Sequence, residues 1–245
     1  MPRSASRPSP ESSLVLALVR AIVRDDAAAV AKMLGASPFL AQQALADGAT
    51  RSRSTDFFFE EIGHYLYGGD TPLHAAAAGY RREIAKELLK NGASVAAVNR
   101  RGAAPLHYAA DGGPAERAWN PAAQAEMVAL LIKAGADPNA LDKSGVAPLH
   151  RAVRQRCPLA VDAFVRGGAA IRLKNKSGST PLHLAAQNTG RGGTGAPEAK
   201  ALQREIIELL LKAGADPKER DGRGKTVGEC AQEWIRALLK GGLFV

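Results

Sequence analysis

The chain has 245 residues, of which 46% are hydrophobic and 23% are charged, as in a globular protein that buries a continuous core. Lysine and arginine outnumber aspartate and glutamate by 33 to 24, which gives a formal net charge of +9. The longest strongly apolar run, residues 14–19, is too short to cross a bilayer and makes a poor signal peptide, so we predict no membrane segment.

The N-terminal part of the chain predicts a tail, a helix pair and an irregular connection. Residues 1–13 are rich in serine, proline and arginine, which predicts a disordered tail. A serine at the end of this tail can cap a helix that begins near Leu14, and residues 27–34 predict its partner helix. Ser37-Pro38 begins a further short helix, and the polar residues 47–55 predict an inserted connection.

Aromatic residues are concentrated just after this connection. Five of the twelve aromatic residues fall within eleven positions: Phe57, Phe58, Phe59, Tyr65 and Tyr67. We predict that the segment 57–67 folds back as a helix and covers the part of the chain that follows. The alternative is an exposed recognition patch, because large exposed apolar surfaces mark binding sites.

One four-residue sequence, which we call the repeated word, occurs four times after residue 70. Its first copy is Thr71-Pro72-Leu73-His74, and the copies at 104–107, 147–150 and 180–183 keep the proline, the leucine and the histidine. The four histidines are 33, 43 and 33 residues apart, and each copy is followed by an alanine-rich stretch, a second apolar stretch and a Gly-Ala pair. Such self-similarity predicts stacked copies of one supersecondary unit.

The residue types of this unit predict two helices and a turn. The threonine hydroxyl caps a helix start, and the proline presets the backbone angle at the first helical position. Apolar residues at 84–89 continue at helical spacing in a second helix, which Gly92 ends with a positive backbone angle before the turn at 99–102. The second and third copies begin with Ala104 and Ala147 and lack the hydroxyl. We therefore expect these two helix starts to be weaker by about 1 kcal/mol each.

With these repeated words, spacings and Gly-Ala pairs, the chain resembles an ankyrin-repeat protein. The resemblance implies an all-α solenoid of helix-turn-helix units joined by hairpin turns. It places the repeats within 66–245, and residues 14–65 form an atypical N-terminal cap, since terminal units cover the apolar faces of the inner ones. The units are 66–98, 99–141, 142–174 and 175–220, followed by a C-terminal cap at 221–245.

Two units are longer than the others because they carry insertions. Residues 111–120, which include Trp119, and residues 188–199 both fall between the first and second helices of their units. We expect both to emerge on one edge, opposite the hairpin turns, and we hypothesise a second contact surface there. The alternative is that Trp119 packs over the adjacent helices and the loops are tolerated decoration.

The sequence predicts no catalytic, cofactor-binding or metal-binding residues. In ankyrin-like proteins the histidines of the repeated word bond the backbone turns and bridge units, and successive copies are roughly 10 Å apart, too far to share a metal ion. The glycine-rich residues 190–195 and 224–226 lack the full pattern of a phosphate-binding loop. Cys157 and Cys230 form no close pair and no nucleophile motif, so we expect both to be reduced in a cytoplasmic protein.

Basic residues fall at or beside successive hairpin turns. A solenoid presents a long face lined by its turns and first helices, and we predict that this face binds an acidic protein surface. The alternative is that these residues are ordinary solvated choices in such turns. The candidate contact residues are Arg100, Arg101, Lys143, Arg151, Arg154, Lys174, Lys176 and Arg223, together with Trp119 from the first insertion.

The predicted function is a non-catalytic protein-protein interaction module or scaffold. Nucleic acid is the competing partner for the positive charge, but the turns lack the interleaved aromatic residues of a stacking platform, which argues against direct binding. A remote alternative is an enzyme with a site in the inserted loops. The architecture does not select one partner, because unrelated functions share it.

Overall fold

The computed structural model describes residues 10–52, 54–114, 119–187, 197–231 and 233–240. Helices dominate these ranges, and the only paired strands in them are two residues long. The helices are α1 (Pro10–Val23), α2 (Ala27–Ala36), α3 (Pro72–Ala78), α4 (Arg82–Lys90), α5 (Pro105–Ala109), α6 (Pro121–Lys133), α7 (Pro148–Gln155), α8 (Pro158–Arg166), α9 (Pro181–Ala186), α10 (Pro197–Lys212), α11 (Val227–Cys230) and α12 (Glu233–Lys240).

The helices stack as antiparallel pairs in two layers. The first helices of the units, α3, α5, α7 and α9, pack on one another in sequence, and α2, α4, α6, α8 and α10 form the second layer. At the ends of the stack, α1 contacts α3 and α11 contacts α9, so the first layer is extended at both ends beyond the four full units. One apolar core runs through the stack from Val15 to Ile235. The predicted all-α solenoid of helix-turn-helix units is confirmed.

Each first helix begins at the proline of the repeated word, as predicted. The Thr71 N–H donates to Nδ1 of His74 at 3.0 Å, so Nε2 carries the proton and donates to the Ala103 carbonyl in the next turn, also at 3.0 Å. His74 therefore ties its own helix start to the following unit. In the other units, Nε2 of His107, His150 and His183 lies 3.0–3.2 Å from the carbonyl oxygens of Val146, Leu173 and Lys225.

The alanines that replace threonine keep part of this arrangement. The N–H groups of Ala104 and Ala147 donate to Nδ1 of His107 and His150 at 3.1 Å. The histidine part of the cap is present in all four units, and the hydroxyl is what the second and third units lack. Weaker helix starts in these two units stay a prediction.

The turns between units share one side-chain geometry. The first turn residue accepts the backbone N–H groups two and four positions later through Oδ1, at 2.8–3.1 Å; these residues are Asn99, Asp142, Asn175 and Asp221. The glycine three positions later has a positive φ of 68–75° in every turn. Neighbouring turns also bond to each other, for example through the Lys143 N–H and the Arg101 carbonyl at 2.9 Å. The basic residues of the turns are thus held in a row.

The aromatic segment 57–67 is not the predicted helix. It forms an antiparallel hairpin of β1 (Phe58–Phe59) and β2 (His64–Tyr65), with 3-10 turns at Thr55–Phe57 and Glu60–Ile62. Aromatic residues favour strands, and Gly63 closes the hairpin at a left-handed φ of 60°. Part of the segment covers the first unit, because Ile62 packs so closely on the end of α3 that a Cβ at Gly79 would lie 2.5 Å from it. Phe58 and Tyr65 stay exposed, at 38% and 40%.

Two predicted boundaries also differ from the structure. Helix α1 begins at Pro10, inside the predicted tail 1–13, while residues 1–9 lie outside the described part of the chain. Helix α10 begins at Pro197, so the predicted insertion 188–199 runs into its first turn. In α1 a proline at the helix start extends the helix further toward the N-terminus than the apolar pattern indicated, whereas Pro197 was expected to start a helix. Residues 115–118 and 188–196 of the two insertions lie outside the described ranges.

Candidate protein-binding site

A cavity of about 450 Å³ lies on the face formed by the turns and the first helices. Its walls come from the β1–β2 hairpin, from the turns of the second and third units, and from helices α5 and α7. Its volume lies in the range of small-molecule and side-chain pockets. We call it the hairpin pocket, after the β1–β2 hairpin that forms one of its walls.

The position directly after the repeated histidine distinguishes the units that build this pocket. The second and third units have Tyr108 and Arg151 there, whereas the first and fourth have Ala75 and Leu184. The Tyr108 hydroxyl accepts from Nδ2 of the turn residue Asn99 at 2.9 Å. In the third unit Arg151 donates to Oδ2 of its turn residue, Asp142, at 2.7 Å. In both units the side chain nine residues after the turn residue binds the second polar atom of the turn residue's side chain, which the turn itself does not use.

The wall next to the first unit is a buried hydrogen-bonded group around Asp70. The Asp70 carboxylate is fully buried and accepts from the Tyr67 N–H at 2.6 Å, from Asn99 Nδ2 at 2.8 Å and from the Tyr108 hydroxyl at 2.7 Å. Burial, together with the Asp70 charge, raises the pKa of Tyr108, so the phenol stays a donor. These bonds fix the tyrosine ring between the first and second units.

The floor of the pocket consists of side chains of alternating charge that bind one another. Arg151 donates to Asp111 and to Asp142, each at 2.7 Å, and its side chain is 17% exposed. Burial works against the charge of both aspartates, but Arg151 outweighs it and holds the pKa of Asp111 and of Asp142 below its usual range. Because Asp111 belongs to the second unit and Arg151 to the third, the Asp111–Arg151 pair joins two units.

His64 connects the hairpin to this floor. Its Nε2 lies 3.2 Å from Oδ2 of Asp111, and its Nδ1 lies 2.7 Å from the Tyr65 carbonyl. Since both ring nitrogens face oxygen acceptors, the protonated ring satisfies both of them. Burial opposes this protonation, but the hydrogen bond and charge of Asp111 outweigh burial and raise the pKa of His64. The ring also packs on Tyr108, with centroids 4.5 Å apart.

The structure corrects the prediction for Arg151. Its guanidinium was expected on the open surface, but two carboxylates match its charge and its side chain is largely buried. The physical reason is that Asp111 and Asp142 lie on either side of it in the fold. Arg151 therefore holds units together and is not a free cation.

The other predicted basic residues keep an unmatched charge. Within the described ranges none of them forms an ion pair with a carboxylate, and all are exposed: Arg100, Arg101, Lys143, Arg154, Lys174, Lys176 and Arg223. We call these seven residues the basic stripe. Arg101 lies over the Tyr67 ring, 4.9 Å from its centroid. Arg100, Lys143 and Lys174 donate to carbonyl oxygens of neighbouring segments, at Ala49, Arg100 and Arg220.

Trp119 lies against the helices and not on the open surface. Its ring is partly buried against the core, and its Nε1 donates to Oε1 of Gln124 at 2.8 Å. Gln124 is buried and donates in turn to the carbonyls of Ala109 and Asp111. These contacts support the alternative that Trp119 packs over the adjacent helix, and they leave it little surface for a partner.

The cysteines and histidines form no further site in the described ranges. Cys157 and Cys230 are free, as expected, and burial raises the pKa of Cys157 to about 11, so it stays a thiol. Across the described part of the chain, no group of three or more histidine, cysteine, aspartate or glutamate residues is arranged to hold a metal ion. In the same ranges no helix has the length and apolar character needed to cross a membrane.

The stacked helix pairs and their hairpin turns define a repeat solenoid, and the comparison with known families agrees. The family described as ankyrin repeats (3 copies) matches residues 49–119 and 118–221. This match covers more than half of the chain, so the chain belongs to the ankyrin-repeat family, whose repeats are generally non-catalytic protein-protein interaction modules. No curated protein matches the chain.

Sequence reasoning missed four residues of the pocket: His64, Tyr108, Asp111 and Asp142. One signal was available, because Asn99 and Tyr108 have the same nine-residue spacing as Asp142 and Arg151. His64 was uninformative as a single residue. It lies 47 positions from Asp111 in the sequence, and only the hairpin brings the two together.

Proposed function

We propose that this protein binds an acidic surface of another protein through the basic stripe and performs no chemistry itself. The observation that carries the proposal is the row of exposed cations at successive turns, for which the described part of the chain supplies no carboxylate. Fixed charges of one sign along one face attract partners of the opposite charge and orient them. The free thiols Cys157 and Cys230 favour the cytoplasm as the place where it acts.

The sharpest test reverses charges of the basic stripe whose side chains form neither a hydrogen bond to the backbone nor an ion pair in the described part of the chain. Among the described residues, the side chains of Arg101, Arg154, Lys176 and Arg223 donate no hydrogen bond to the backbone and form no ion pair, so all four are changed to glutamate. A matched control reverses four exposed lysines of the second-layer helices that form no ion pair among the described residues: Lys32, Lys133, Lys200 and Lys212.

Wild type and both variants are used to capture partners from a nuclease-treated native extract, and the captured protein is then purified and titrated. We expect the stripe variant to bind at least tenfold more weakly, which corresponds to about 1.4 kcal/mol, while the control stays within about twofold. The wild-type affinity should fall as salt rises, because exposed charges are screened.

Two results would overturn the proposal. Equal weakening in both variants would place the effect in the total charge and not in the stripe. A capture that nuclease treatment abolishes would assign the charge to nucleic acid. Thermal unfolding of each variant shows beforehand that all three proteins are folded.

A further inference from the structure

The carboxylates in the floor of the hairpin pocket already have cationic partners, and the arginines on its rim form no ion pair among the described residues. Asp111 and Asp142 are each bound by Arg151 at 2.7 Å, and His64 adds a further bond to Asp111. Their negative charge is therefore already matched inside the protein. Arg101 and Arg154 also line the pocket, are exposed, and have no carboxylate partner within the described ranges. The pocket as a whole therefore favours an anion.

The walls suit a peptide side chain. Tyr65 is 40% exposed and its ring packs on Phe58, with centroids 4.8 Å apart, which makes an apolar wall at the hairpin. The hydroxyl of Ser144 and the amide of Gln155 line the other side as neutral hydrogen-bonding groups. A planar arginine binds a carboxylate through two parallel hydrogen bonds, and two such groups lie on this rim.

We infer that the hairpin pocket is the anchor site for the partner, and that it takes a glutamate or aspartate side chain of an acidic peptide segment between Arg101 and Arg154. The hairpin aromatic residues then contact the neighbouring part of the peptide. This inference rests on the proposed function and narrows it, because it selects two residues of the basic stripe and one place on it. The other stripe residues attract the partner without fixing its register.

The test uses the full chain and a fluorescent peptide that is rich in glutamate, with a peptide of the same sequence carrying glutamine instead. Binding is measured by fluorescence anisotropy and mapped by backbone amide chemical shifts. The pocket variant is Arg101→Ala with Arg154→Ala. The matched control is Lys176→Ala with Arg223→Ala, which removes the same charge from the stripe outside the pocket.

We expect the glutamate peptide to shift amides of β2, of the turn at Ser144 and of helix α7. The pocket variant should lose at least tenfold in affinity and the control no more than about threefold. Charges that do not touch the peptide act on it mainly through attraction that salt screens.

The outcomes separate the two proposals. Equal losses in both variants, or shifts outside the pocket, would overturn the anchor site and leave the acidic-surface function standing. If the glutamine peptide bound as tightly as the glutamate peptide, both the anchor site and the acidic-surface function would be wrong. Tighter binding of a single-stranded oligonucleotide at the same amides would replace the peptide by nucleic acid. Thermal unfolding of both variants shows that neither loss is a folding defect.

Discussion

The second, third and fourth units use the same turn, but the fourth unit differs from the other two at one position. In all three the turn residue accepts two backbone N–H groups through Oδ1. Nine residues later, Tyr108 and Arg151 bind its remaining atom, whereas Leu184 in the fourth unit offers no polar atom to Asn175. The units share the geometry of the turn, and the residue at this single position distinguishes the two units that line the pocket from the fourth.

The difference also changes how the units are held together. Leu184 packs against the apolar core, whereas the second and third units also meet through Asp111 and Arg151. A largely buried ion pair adds little net stability because desolvation offsets the attraction, yet removing one partner leaves a charge unpaired. The pocket region should therefore be far more sensitive to single substitutions than the fourth unit.

The largest expected effect comes from making the third unit resemble the fourth. Arg151→Leu leaves Asp142 without a cation and leaves Asp111 with His64 alone, and we expect the free energy of unfolding to fall by about 3 kcal/mol, as for a buried pair broken on one side. Urea unfolding followed by circular dichroism measures this.

The same substitution can be compensated. Asp142→Asn added to Arg151→Leu should recover part of the loss, because asparagine already holds the same turn at Asn99 and Asn175, while Asp111 keeps its bond to His64. If Arg151→Leu alone cost less than about 1 kcal/mol, within the range of an exposed pair, the ion pairs would not hold the units together.

A smaller effect is expected where the second unit meets the first. Tyr108→Phe removes one donor from the buried Asp70 and one acceptor from Asn99, and we expect a loss of about 2 kcal/mol in the free energy of unfolding. Tyr65→Phe is the matched control, since Tyr65 is exposed, and it should change stability by less than about 0.5 kcal/mol. Similar losses in both variants would contradict a special role of the buried phenol.

The turns and helix starts were predictable from the sequence because short-range chemistry determines them. The repeated word places proline and histidine at each helix start, and the glycine three positions after Asn99 needs a positive φ. The pocket was less predictable, because its charges come from distant parts of the chain. Arg151 was taken for a surface cation since nothing local reveals that Asp111, forty residues earlier, lies beside it.

The aromatic segment shows a second limit. Its composition fits both a covering helix and a strand, and the left-handed Gly63 decides between them by closing a hairpin. The covering role was predictable from the aromatic residues, whereas the conformation was not. The contact between His64 and Asp111 depends on that conformation and was hidden with it.

The hairpin should be held more firmly at low pH than at high pH. Because the folded protein raises the pKa of His64, the stabilisation by its charge is fully present below the unfolded pKa of about 6.5 and is lost as pH rises through the folded value. We expect His64→Gln to lower the free energy of unfolding by about 1 kcal/mol at pH 6 and by much less at pH 9.

Comparing wild type and variant at each pH is necessary for this measurement. Burial lowers the pKa of His74, His107 and His150, so their contribution weakens as pH falls below 6.5, in the opposite direction. That effect is common to both proteins and cancels in the difference. The groups around His64 are Asp111, Asp70 and His74, and Asp111 stays charged over this range because its pKa is lowered. A difference that does not change with pH would show that the His64 ring is neutral.

The smallest expected effect tests the helix starts, in which the second and third units differ from the first and fourth. Thr71 and Thr180 are 6% and 1% exposed, and Ala104 and Ala147 have the same values, so the surroundings of this position are alike. The Thr180 hydroxyl accepts the His183 N–H at 3.3 Å and has room there. We therefore expect Ala104→Thr and Ala147→Thr each to raise the free energy of unfolding by about 0.5–1 kcal/mol, with Thr180→Ala lowering it by a similar amount. Loss of stability in both threonine variants would show that these two units pack more tightly around the cap than the outer units do.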